Sequence, residues 1–523
     1  MSKRPELSAG EALVGLLEGY GVDTIFGIPG VHNVEMYRAL PRSKIKHVLT
    51  RHEQGAGFMA DGYSRATGKP GVCFTITGPG LTNILTAMGQ AWSDSSAILV
   101  ISSALDIEDS AQGRGRLHEM ISQVNAAAAV TATAMRTYTP MDIQDAVARA
   151  FSGFASSRPR PAYLEIPLDL LSMPAGPGWN ARATASRPAH TEKDVADAVG
   201  LLAAAKSPVI ILGGGALACG ASAITISEAL GAPILTTTAG KGVVPANHTN
   251  CWGYLLSHPD VQAMVKASDC VLAVATELSE TDFWTSDCRL DNLVRIDIDS
   301  ANLVRPHVAR LAILADAAPA LAAIAARLAG HKGSTQTPPQ TDQSPLRQML
   351  TKVLHVIRDS LPEETVIASD MTQIAYAANE IFPVSKPRTW LHPVGFGTLG
   401  FALPAAIGAK IGVGNTPVAA LAGDYGFQCT INELGTAVEY KLPLPILLWN
   451  NDALGQIRDD MVNKGIQPNA VTLRNPDFQG LARAYGCAAE KPANLAALAK
   501  AIAIALKSDG PTLIEMTPRM VDA

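Results

Sequence analysis

Short apolar runs alternate with amphipathic segments along most of the chain, and many of these runs end in glycine or in a polar turn. Apolar runs bounded by turns predict strands that are buried on both faces, as in a parallel sheet. The clearest unit has the run VAALAG at residues 418–423, the helical pattern INELGTAVEYKL and then the run PILLWN. A strand, a helix and a second strand in this order place Asp424 and Asn451 at one carboxyl edge of a sheet, where open α/β folds bind ligands.

Asp424 and Asn451 predict a metal site at that edge. The two residues are 27 positions apart, and both present hard oxygen atoms. Mg²⁺ prefers such ligands, takes few of them from the protein and completes its shell with water and phosphate oxygens. The alternative is a plain Gly-Asp turn followed by an Asn-Asp turn with no ligand.

A similar plan of strands and glycine turns occupies the first part of the chain. Residues 22–30 predict a strand that ends in a glycine-proline turn, and residues 47–83 predict a strand, a helix and a second strand. That second strand ends in the glycine-rich turn of residues 77–83. Glu53 stands at the start of the intervening helix, where a carboxylate is usually a capping or surface residue favoured by the helix dipole.

The length and two polar linkers predict three domains. A chain of 523 residues is too long for one hydrophobic core. Segments rich in Pro, Gly and Ser at 172–192 and in polar residues at 330–344 read as linkers. We therefore predict three consecutive doubly wound parallel-sheet α/β domains at residues 1–172, 193–330 and 345–523, of which the first and third share one plan.

The middle domain contains two segments with an ambiguous role. The sequence SPVIILGGGALACGAS predicts a strand, a glycine turn and a helix, but it lacks the full dinucleotide-binding fingerprint. We expect a structural Rossmann-like domain without bound FAD. The strand at 271–274 is followed by an acidic loop with Glu277, Glu280 and Asp282, which is either a substrate loop or a solvated surface.

Composition excludes several classes of partner. Hydrophobic residues make up 47% and charged residues 17% of the chain, and the formal net charge is −5. These values give no reason to expect nucleic acid or an anionic membrane as a partner. The seven cysteines are scattered without CxxC spacing, no apolar run reaches the ~18 residues of a membrane span, and the N-terminal segment lacks a signal-peptide pattern. We expect a soluble, cytoplasmic protein.

Several motifs resemble one enzyme superfamily. The segments RHEQGAGFMADGYSRATGKPGV, GPGLTN, GFGTLGFALPAA and GDYG, together with the Asn pair, resemble motifs of thiamine-diphosphate-dependent decarboxylases and acetohydroxyacid synthases. The resemblance covers essentially the whole chain. It implies an N-terminal pyrimidine-binding (PYR) domain, a middle Rossmann-like domain and a C-terminal diphosphate-binding (PP) domain. It also implies thiamine diphosphate and Mg²⁺ as cofactors, and a homodimer or homotetramer with active sites at the subunit interface.

The resemblance assigns roles to individual residues. Glu53 matches the catalytic glutamate that bonds to the aminopyrimidine ring of the cofactor, Gly397 the carbonyl that accepts from its amino group, and Leu399 the apolar wedge beneath its rings. Asp424, Asn451 and the Ala453 carbonyl match the metal ligands. The remaining residues that match cofactor-binding positions are Gly78, Asn83, Gly423, Tyr425, Gly426, Leu454 and Gly455. Tyr425 stands where a glycine is commoner, and we expect metal binding to be preserved because Asp424 supplies the ligand.

Two departures concern proton transfer. Enzymes of the pyruvate-decarboxylase type carry an acidic residue after the first Pro-Gly turn and a His-His pair, whereas this chain has Val31 and His118-Glu119. A decarboxylase needs a proton donor over the reacting carbon, and His118 is the best candidate. The residues that we expect to contact substrate are Val31, His32, Glu280, Asp282, Gln456 and Asp460.

The details GRGRLHE, TTTAGKGVVPA, TELSETD and RIDIDS resemble the 5-guanidino-2-oxopentanoate decarboxylase branch, which acts in arginine catabolism. The product there is 4-guanidinobutanal with CO2. A guanidinium tail suits planar carboxylates, although Gln456 is neutral where an acidic residue is expected. The alternatives are an acetolactate-synthase-like carboligase acting on pyruvate and a non-catalytic nucleotide-binding scaffold.

Overall fold

Three six-stranded parallel sheets follow one another along the chain in a computed structural model that describes residues 7–330, 337–339 and 344–521. Helices cover both faces of each sheet. The prediction of three consecutive doubly wound α/β domains is therefore confirmed, while the exact domain boundaries stay predictions. Most of the predicted linker at residues 330–344 lies outside the described residues.

The first sheet has the strand order β2-β1-β3-β4-β6-β5. Its strands are β1 (Thr24–Gly27), β2 (Lys46–Leu49), β3 (Gly71–Thr75), β4 (Ile98–Ala104), β5 (Thr133–Arg136) and β6 (Ala162–Pro167). Its helices are α1 (Ala9–Gly19), α2 (Val34–Tyr37), α3 (Glu53–Thr67), α4 (Pro79–Ser93), α5 (Gln123–Ala128), α6 (Pro140–Ser156) and α7 (Leu168–Ser172).

The middle sheet has the order β12-β11-β10-β7-β8-β9, that of a Rossmann fold. Its strands are β7 (Pro208–Leu212), β8 (Ile234–Thr236), β9 (Cys251–Gly253), β10 (Cys270–Val274), β11 (Leu293–Asp297) and β12 (Leu311–Leu314). Its helices are α8 (Glu192–Ala204), α9 (Gly220–Leu230), α10 (Pro259–Ala267), α11 (Glu280–Phe283) and α12 (Ala317–Leu328). The predicted glycine turn forms a short 3₁₀ turn, Gly214–Ala216, between β7 and α9.

The third sheet, with the order β14-β13-β15-β16-β18-β17, repeats the strand order of the first. Its strands are β13 (Val366–Ser369), β14 (Trp390–Leu391), β15 (Val418–Gly423), β16 (Leu444–Trp449), β17 (Ala488–Glu490) and β18 (Pro511–Met516). Its helices are α13 (Pro345–Ser360), α14 (Gln373–Ile381), α15 (Ala402–Val413), α16 (Asp424–Cys429), α17 (Leu434–Glu439), α18 (Gly455–Asn463), α19 (Phe478–Tyr485) and α20 (Leu495–Ala505).

The first and third sheets share one hydrophobic core, in which α3 packs against α15. Glycines allow the two helices to cross closely. A Cβ at Gly62 would lie 2.1 Å from the carbonyl oxygen of Ala405, and one at Gly408 would lie 1.9 Å from that of Met59. The Ala/Gly-rich pattern of both helices is therefore required by their contact, and it fixes the N-terminal and C-terminal domains against each other.

The segment after β15 differs from its prediction. The helical pattern INELGTAVEYKL forms a 3₁₀ turn at Ile431–Glu433 followed by α17, and a further helix, α16, precedes it where a polar turn was expected. The break coincides with Thr430, whose hydroxyl donates to the carbonyl of Gly400, 2.8 Å away. Asp424 therefore lies in the first turn of α16 and not in an open turn.

Candidate active site

The carboxyl edge of the third sheet gathers polar residues from three neighbouring strands. Asp424 follows β15, the pair Asn450-Asn451 follows β16, and Asp370 follows β13. The strand order reverses between β13 and β15, so this edge is a topological switch point where α/β folds bind ligands. Asp424 and Asp370 are 3% and 1% exposed, respectively, and burial raises the pKa of both carboxyls.

Three oxygen atoms of this edge converge on a single amide nitrogen. The Asn475 side-chain nitrogen donates to Asp424 Oδ2 at 2.7 Å, to Asn450 Oδ1 at 2.9 Å and to Asp452 Oδ1 at 3.1 Å. Two of these acceptors are carboxylates, so the cluster attracts a positively polarised group. This arrangement fits a site for a hard cation, because oxygen atoms already converge on one point.

The predicted metal ligand Asn451 lies beside the same cluster. Its Oδ1 accepts from the Ala453 N–H at 3.3 Å, and its Nδ2 donates to Gln373 Oε1 at 3.2 Å. Gln373 also donates to Asp459 Oδ2 at 2.8 Å, which joins α14 to α18. Asn451 and Ala453 therefore lie in the loop after β16, the strand next to β15 and Asp424.

The protein atoms available at this edge determine which kind of metal ion could bind there. Among the described residues, no group of three or more His, Cys, Asp or Glu side chains is arranged to hold a metal. A metal bound here would have to use Asp424 together with amide and carbonyl oxygens, and would have coordination positions left for phosphate oxygens. Gly426 adds to this fit because a Cβ there would lie 2.7 Å from Asp370 Oδ2, leaving room only for backbone.

The segment that contains Gly397 and Leu399 is attached to the N-terminal domain. Asp94, at the end of α4, accepts from the backbone N–H groups of Gly395 at 2.8 Å and Val394 at 3.1 Å. Gln90 Oε1 accepts from both the N–H and the hydroxyl of Thr398, at 3.1 and 2.8 Å. The end of α4 therefore sets the position of residues 394–398.

Asp370 fixes the other end of this segment. Its carboxylate accepts from the Gly400 N–H at 3.0 Å, and the backbone N–H groups of Phe401 and Ala402 act to lower its pKa. Burial raises the pKa of Asp370 to about 6. The carboxylate thus closes the first turn of α15 and stands between Gly400 and Gly426.

The carboxyl edge of the first sheet holds the predicted catalytic glutamate. Glu53 is the first residue of α3 and is 8% exposed. Its Oε2 accepts from the Asn83 side chain at 3.0 Å, so these two predicted cofactor residues are in direct contact. Glu53 does not cap its own helix, because His52 occupies that position and its Nδ1 accepts from the Gln54 N–H at 3.1 Å.

His32 and His118 meet at the switch point of the first sheet. Their rings pack edge to face with centroids 4.9 Å apart. Gly78 lies against them, since a Cβ at this glycine would lie 2.5 Å from the His118 carbonyl oxygen. The Nδ1 atoms of both histidines are buried without a hydrogen-bond partner in the described part of the chain, and burial next to His118 lowers the pKa of His32.

The remaining predicted substrate residues occupy three separate places. Val31 follows β1 and is 69% exposed. Gln456 donates to Asp460 at 3.1 Å on the surface of α18. In the middle domain, Glu280 is exposed at the start of α11.

In the acidic segment after β10, two of the three carboxylates are paired within the chain. Residues 280–283 form a helical turn in which the Asp282 carboxylate accepts from the N–H and hydroxyl of Ser279, and burial raises its pKa to about 6. Glu277 pairs with Arg158 and Arg160 of the N-terminal domain. The carboxylates of Glu277 and Asp282 are thus each paired with a donor of the same chain that lies within 3.1 Å.

Sequence reasoning missed several residues that build these edges. They are Gln90, Asp94, Asp370, Gln373 and Asn475. Their partners lie as far as 308 positions away along the chain, so no local pattern reveals the contacts. Only Asp370 carried a usable signal, as an acidic residue directly after an apolar strand.

Together, two switch points of identical topology carry a buried carboxylate with its amide partner at one edge and a cluster of carboxylate and amide oxygens at the other. Family models of the thiamine pyrophosphate (TPP) enzymes match the chain in the same order. They describe the N-terminal TPP binding domain at residues 7–126, the central domain at 195–324 and the C-terminal TPP binding domain at 370–516. The chain belongs to the thiamine pyrophosphate enzyme family.

Individual relatives show which members of this family the chain is similar to. The chain is 45% identical to the probable 2-ketoarginine decarboxylase AruI of Pseudomonas aeruginosa, over 99% of this chain and 95% of the relative. It is 32% identical to the acetolactate synthase isozyme 3 large subunit of Escherichia coli, over 92% of this chain and 89% of that one. It is also 30% identical to a probable acetolactate synthase large subunit of Methanocaldococcus jannaschii, over 98% and 92%.

Proposed function

We propose that the protein is a thiamine-diphosphate-dependent 2-keto acid decarboxylase whose substrate is 5-guanidino-2-oxopentanoate. This compound is 2-ketoarginine, and its products are 4-guanidinobutanal and CO2. The single observation that supports this assignment best is the 45% identity, over almost the whole of both chains, to a probable decarboxylase of that acid. The placement of Glu53 with Asn83, and of Asp424 with Asn451, agrees with it.

The residues of the third sheet would hold the cofactor diphosphate through Mg²⁺. Asp424, Asn451 and the Ala453 carbonyl would be the protein ligands, and the backbone at Gly426 would face the phosphates. When bound, thiamine diphosphate supplies the carbon that adds to the keto group and the ring that takes up the electrons left by CO2. Asn475 and Gln373 would keep Asp424 and Asn451 in position.

The residues of the first sheet would handle protons. Glu53 would bond to the aminopyrimidine ring, and Asn83 would keep its carboxylate aimed at that ring. His118 and His32 have unpartnered ring nitrogens beside Gly78, and we assign to His118 the proton that the product carbon receives. General acid catalysis of this kind contributes about 10²–10⁴-fold to a rate.

Each active site would form between two chains, in a homodimer or homotetramer, with the Glu53 edge of one copy meeting the Asp424 edge of another. Exposed apolar side chains near both edges support this arrangement. Val31 and Ile121 are 69% and 90% exposed near the first edge, and Tyr425 and Ile457 are 40% and 48% exposed near the second. Among the described residues no helix is long and apolar enough to cross a bilayer.

The test is CO2 release by protein reconstituted with thiamine diphosphate and Mg²⁺, with 5-guanidino-2-oxopentanoate, pyruvate and aliphatic 2-keto acids compared. We expect a strong preference for the guanidino acid and 4-guanidinobutanal as product. Glu53→Gln should lower kcat by about 10²-fold or more, whereas Asp145→Asn, at a surface ion pair, should not change it. Failure of every keto acid to release CO2 would contradict the proposal.

The second candidate is an acetolactate-synthase-like carboligase, which the 30–32% identity to acetolactate synthases supports. This reaction joins the two-carbon unit from one pyruvate to a second keto acid instead of protonating it. Formation of acetolactate from pyruvate would establish it. His118 would then lose its assigned role as proton donor.

A further inference from the structure

A cavity of about 340 Å³ opens beside the predicted catalytic histidine in the N-terminal domain. Thr77 and His118 contribute to its wall, so it adjoins the switch point of the first sheet. Gln123 also lines it and accepts a hydrogen bond from the Gly78 N–H. The cavity is thus continuous with the glycine turn at the proposed reaction centre, and its volume lies within the ~300–1,000 Å³ typical of small-molecule sites.

A carboxylate with one unused oxygen lies in the wall of this cavity. Glu165, on β6, has a side chain that is 2% exposed, and its Oε1 accepts from Arg136 at 2.9 Å. Its Oε2 is buried and has no partner in hydrogen-bonding geometry within the described residues. A buried acceptor without a hydrogen bond costs about 1–3 kcal/mol, and more when it is charged. A ligand that donates an N–H to this oxygen is therefore favoured.

The surroundings keep the Glu165 carboxylate able to accept. Burial raises the pKa of this carboxyl, while the charge of Arg136 and the nearby Gln123 side chain and Val124 N–H oppose the rise. Arg136 is in turn bonded to Ser110, 2.5 Å away. Arg136 is therefore already bonded to Oε1 of Glu165, and Oε2 of the same carboxylate remains for a second donor.

We propose that this cavity binds the guanidinium tail of the keto acid, with Glu165 Oε2 as the acceptor that sets substrate specificity. The inference rests on the proposed function, since it deepens the choice of substrate. The keto acid group would lie at His118, and the trimethylene chain would follow the apolar part of the wall, which includes Leu105, Met120 and Val124.

The bound tail would give the order guanidinium, carboxylate and guanidinium, in which one carboxylate faces two cations. This chain already contains the mirror arrangement, in which Arg65 lies between the carboxylates of Asp61 and Asp94. Guanidinium groups bind carboxylates through planar N–H pairs. None of the acidic residues expected from sequence to bind the tail lines this cavity.

The test uses the intact protein with both cofactors and compares kcat/KM for 5-guanidino-2-oxopentanoate with that for 2-oxohexanoate, whose tail has no donor. Glu165→Gln should reduce the ratio of the two by roughly 10–100-fold, because a charged hydrogen bond is lost only for the first substrate. Asp109→Asn is the matched control. It removes a neighbouring carboxylate that pairs with Arg114 and Arg116 outside the cavity wall, and it should leave the ratio unchanged.

Two further measurements keep the outcome decisive. Met120→Trp narrows the cavity without removing the ion pair, so it should lower the same ratio even if Glu165→Gln folds poorly. Calorimetric binding of propylguanidine tests the cavity without catalysis, and binding to the wild-type protein that Glu165→Gln abolishes supports the proposal.

The two proposals fail in different ways. An unchanged substrate ratio in both variants, or propylguanidine binding that is equal in wild type and Glu165→Gln, overturns the cavity assignment. A wild-type protein that binds propylguanidine through Glu165 but releases CO2 from no keto acid refutes the decarboxylase and leaves the cavity assignment standing.

Discussion

Replacing Asp94 by Asn should weaken binding of thiamine diphosphate, although Asp94 lies at the end of α4 and belongs to the N-terminal domain. The carboxylate accepts four hydrogen bonds, two of them from the backbone of residues 394 and 395. Its side chain is 9% exposed, so solvent cannot readily replace those bonds. An Asn keeps the shape but has one acceptor oxygen, and its NH₂ group would face a donor.

The magnitude follows from the bonds lost. Oδ2 accepts three of the four bonds and Oδ1 accepts one, from the Gly395 N–H. If the amide oxygen keeps the Oδ2 position, the Gly395 N–H is left unsatisfied, which costs about 1–3 kcal/mol. Binding of thiamine diphosphate then has to order residues 394–398 again, which takes about 1.4 kcal/mol from the binding free energy. The dissociation constant of the cofactor therefore rises about tenfold.

Titration calorimetry of thiamine diphosphate in saturating Mg²⁺ measures this effect, with chemical denaturation as the parallel measure of stability. Asp61→Asn is the matched control, because Asp61 also pairs with Arg65 but makes none of the bonds to residues 394–398. Both variants should lose stability, and only Asp94→Asn should lose cofactor affinity. Equal loss of affinity in the two would refute the idea that α4 positions the segment.

Three further predictions follow from single contacts. Burial lowers the pKa of His392 to about 3, so the folded protein binds fewer protons at this residue than the unfolded chain does. The free energy of unfolding therefore falls by up to about 1.4 kcal/mol per pH unit as the pH drops from ~6.5 towards 3. In chemical denaturation at several pH values, His392→Gln should show a weaker fall of that free energy. Gly62→Ala puts a Cβ 2.1 Å from the Ala405 oxygen and should cost about 1–3 kcal/mol, whereas Gly15→Ala, with open space around it, should stabilise by up to ~1 kcal/mol. Asn475→Ala should weaken Mn²⁺ binding by about tenfold, measured by electron paramagnetic resonance; tighter binding would show that the amide competes with the ion.

Much of the fold could be predicted from the sequence because its strands are continuous apolar runs ended by turns. The strands at Val418–Gly423 and Leu444–Trp449, and the start of α3 at Glu53, lie where the pattern puts them. The resemblance to known motifs then supplied candidate site residues that the pattern alone did not distinguish from caps and turns.

What could not be predicted depends on contacts between distant parts of the chain. Gln90 and Asp94 read as ordinary polar residues of a helix, and their backbone partners at 394–398 are known only once α3 has packed against α15. Glu165 lies in a strand whose six residues are all buried, and nothing local shows that one of its oxygens stays free. The break between α16 and α17 likewise depends on a bond from Thr430 to Gly400.

The shared strand order of the first and third sheets has a consequence for how such a chain can diverge. Two copies of one topology within a single polypeptide are expected from duplication of an ancestral unit, whose copies would have begun with equivalent switch points. Here one copy carries histidines and a glutamate, and the other carries a cluster of carboxylate and amide oxygens. Because the two sets of residues lie on separate copies, substitutions can change the surroundings of the histidines in one copy while the oxygen cluster of the other stays unaltered.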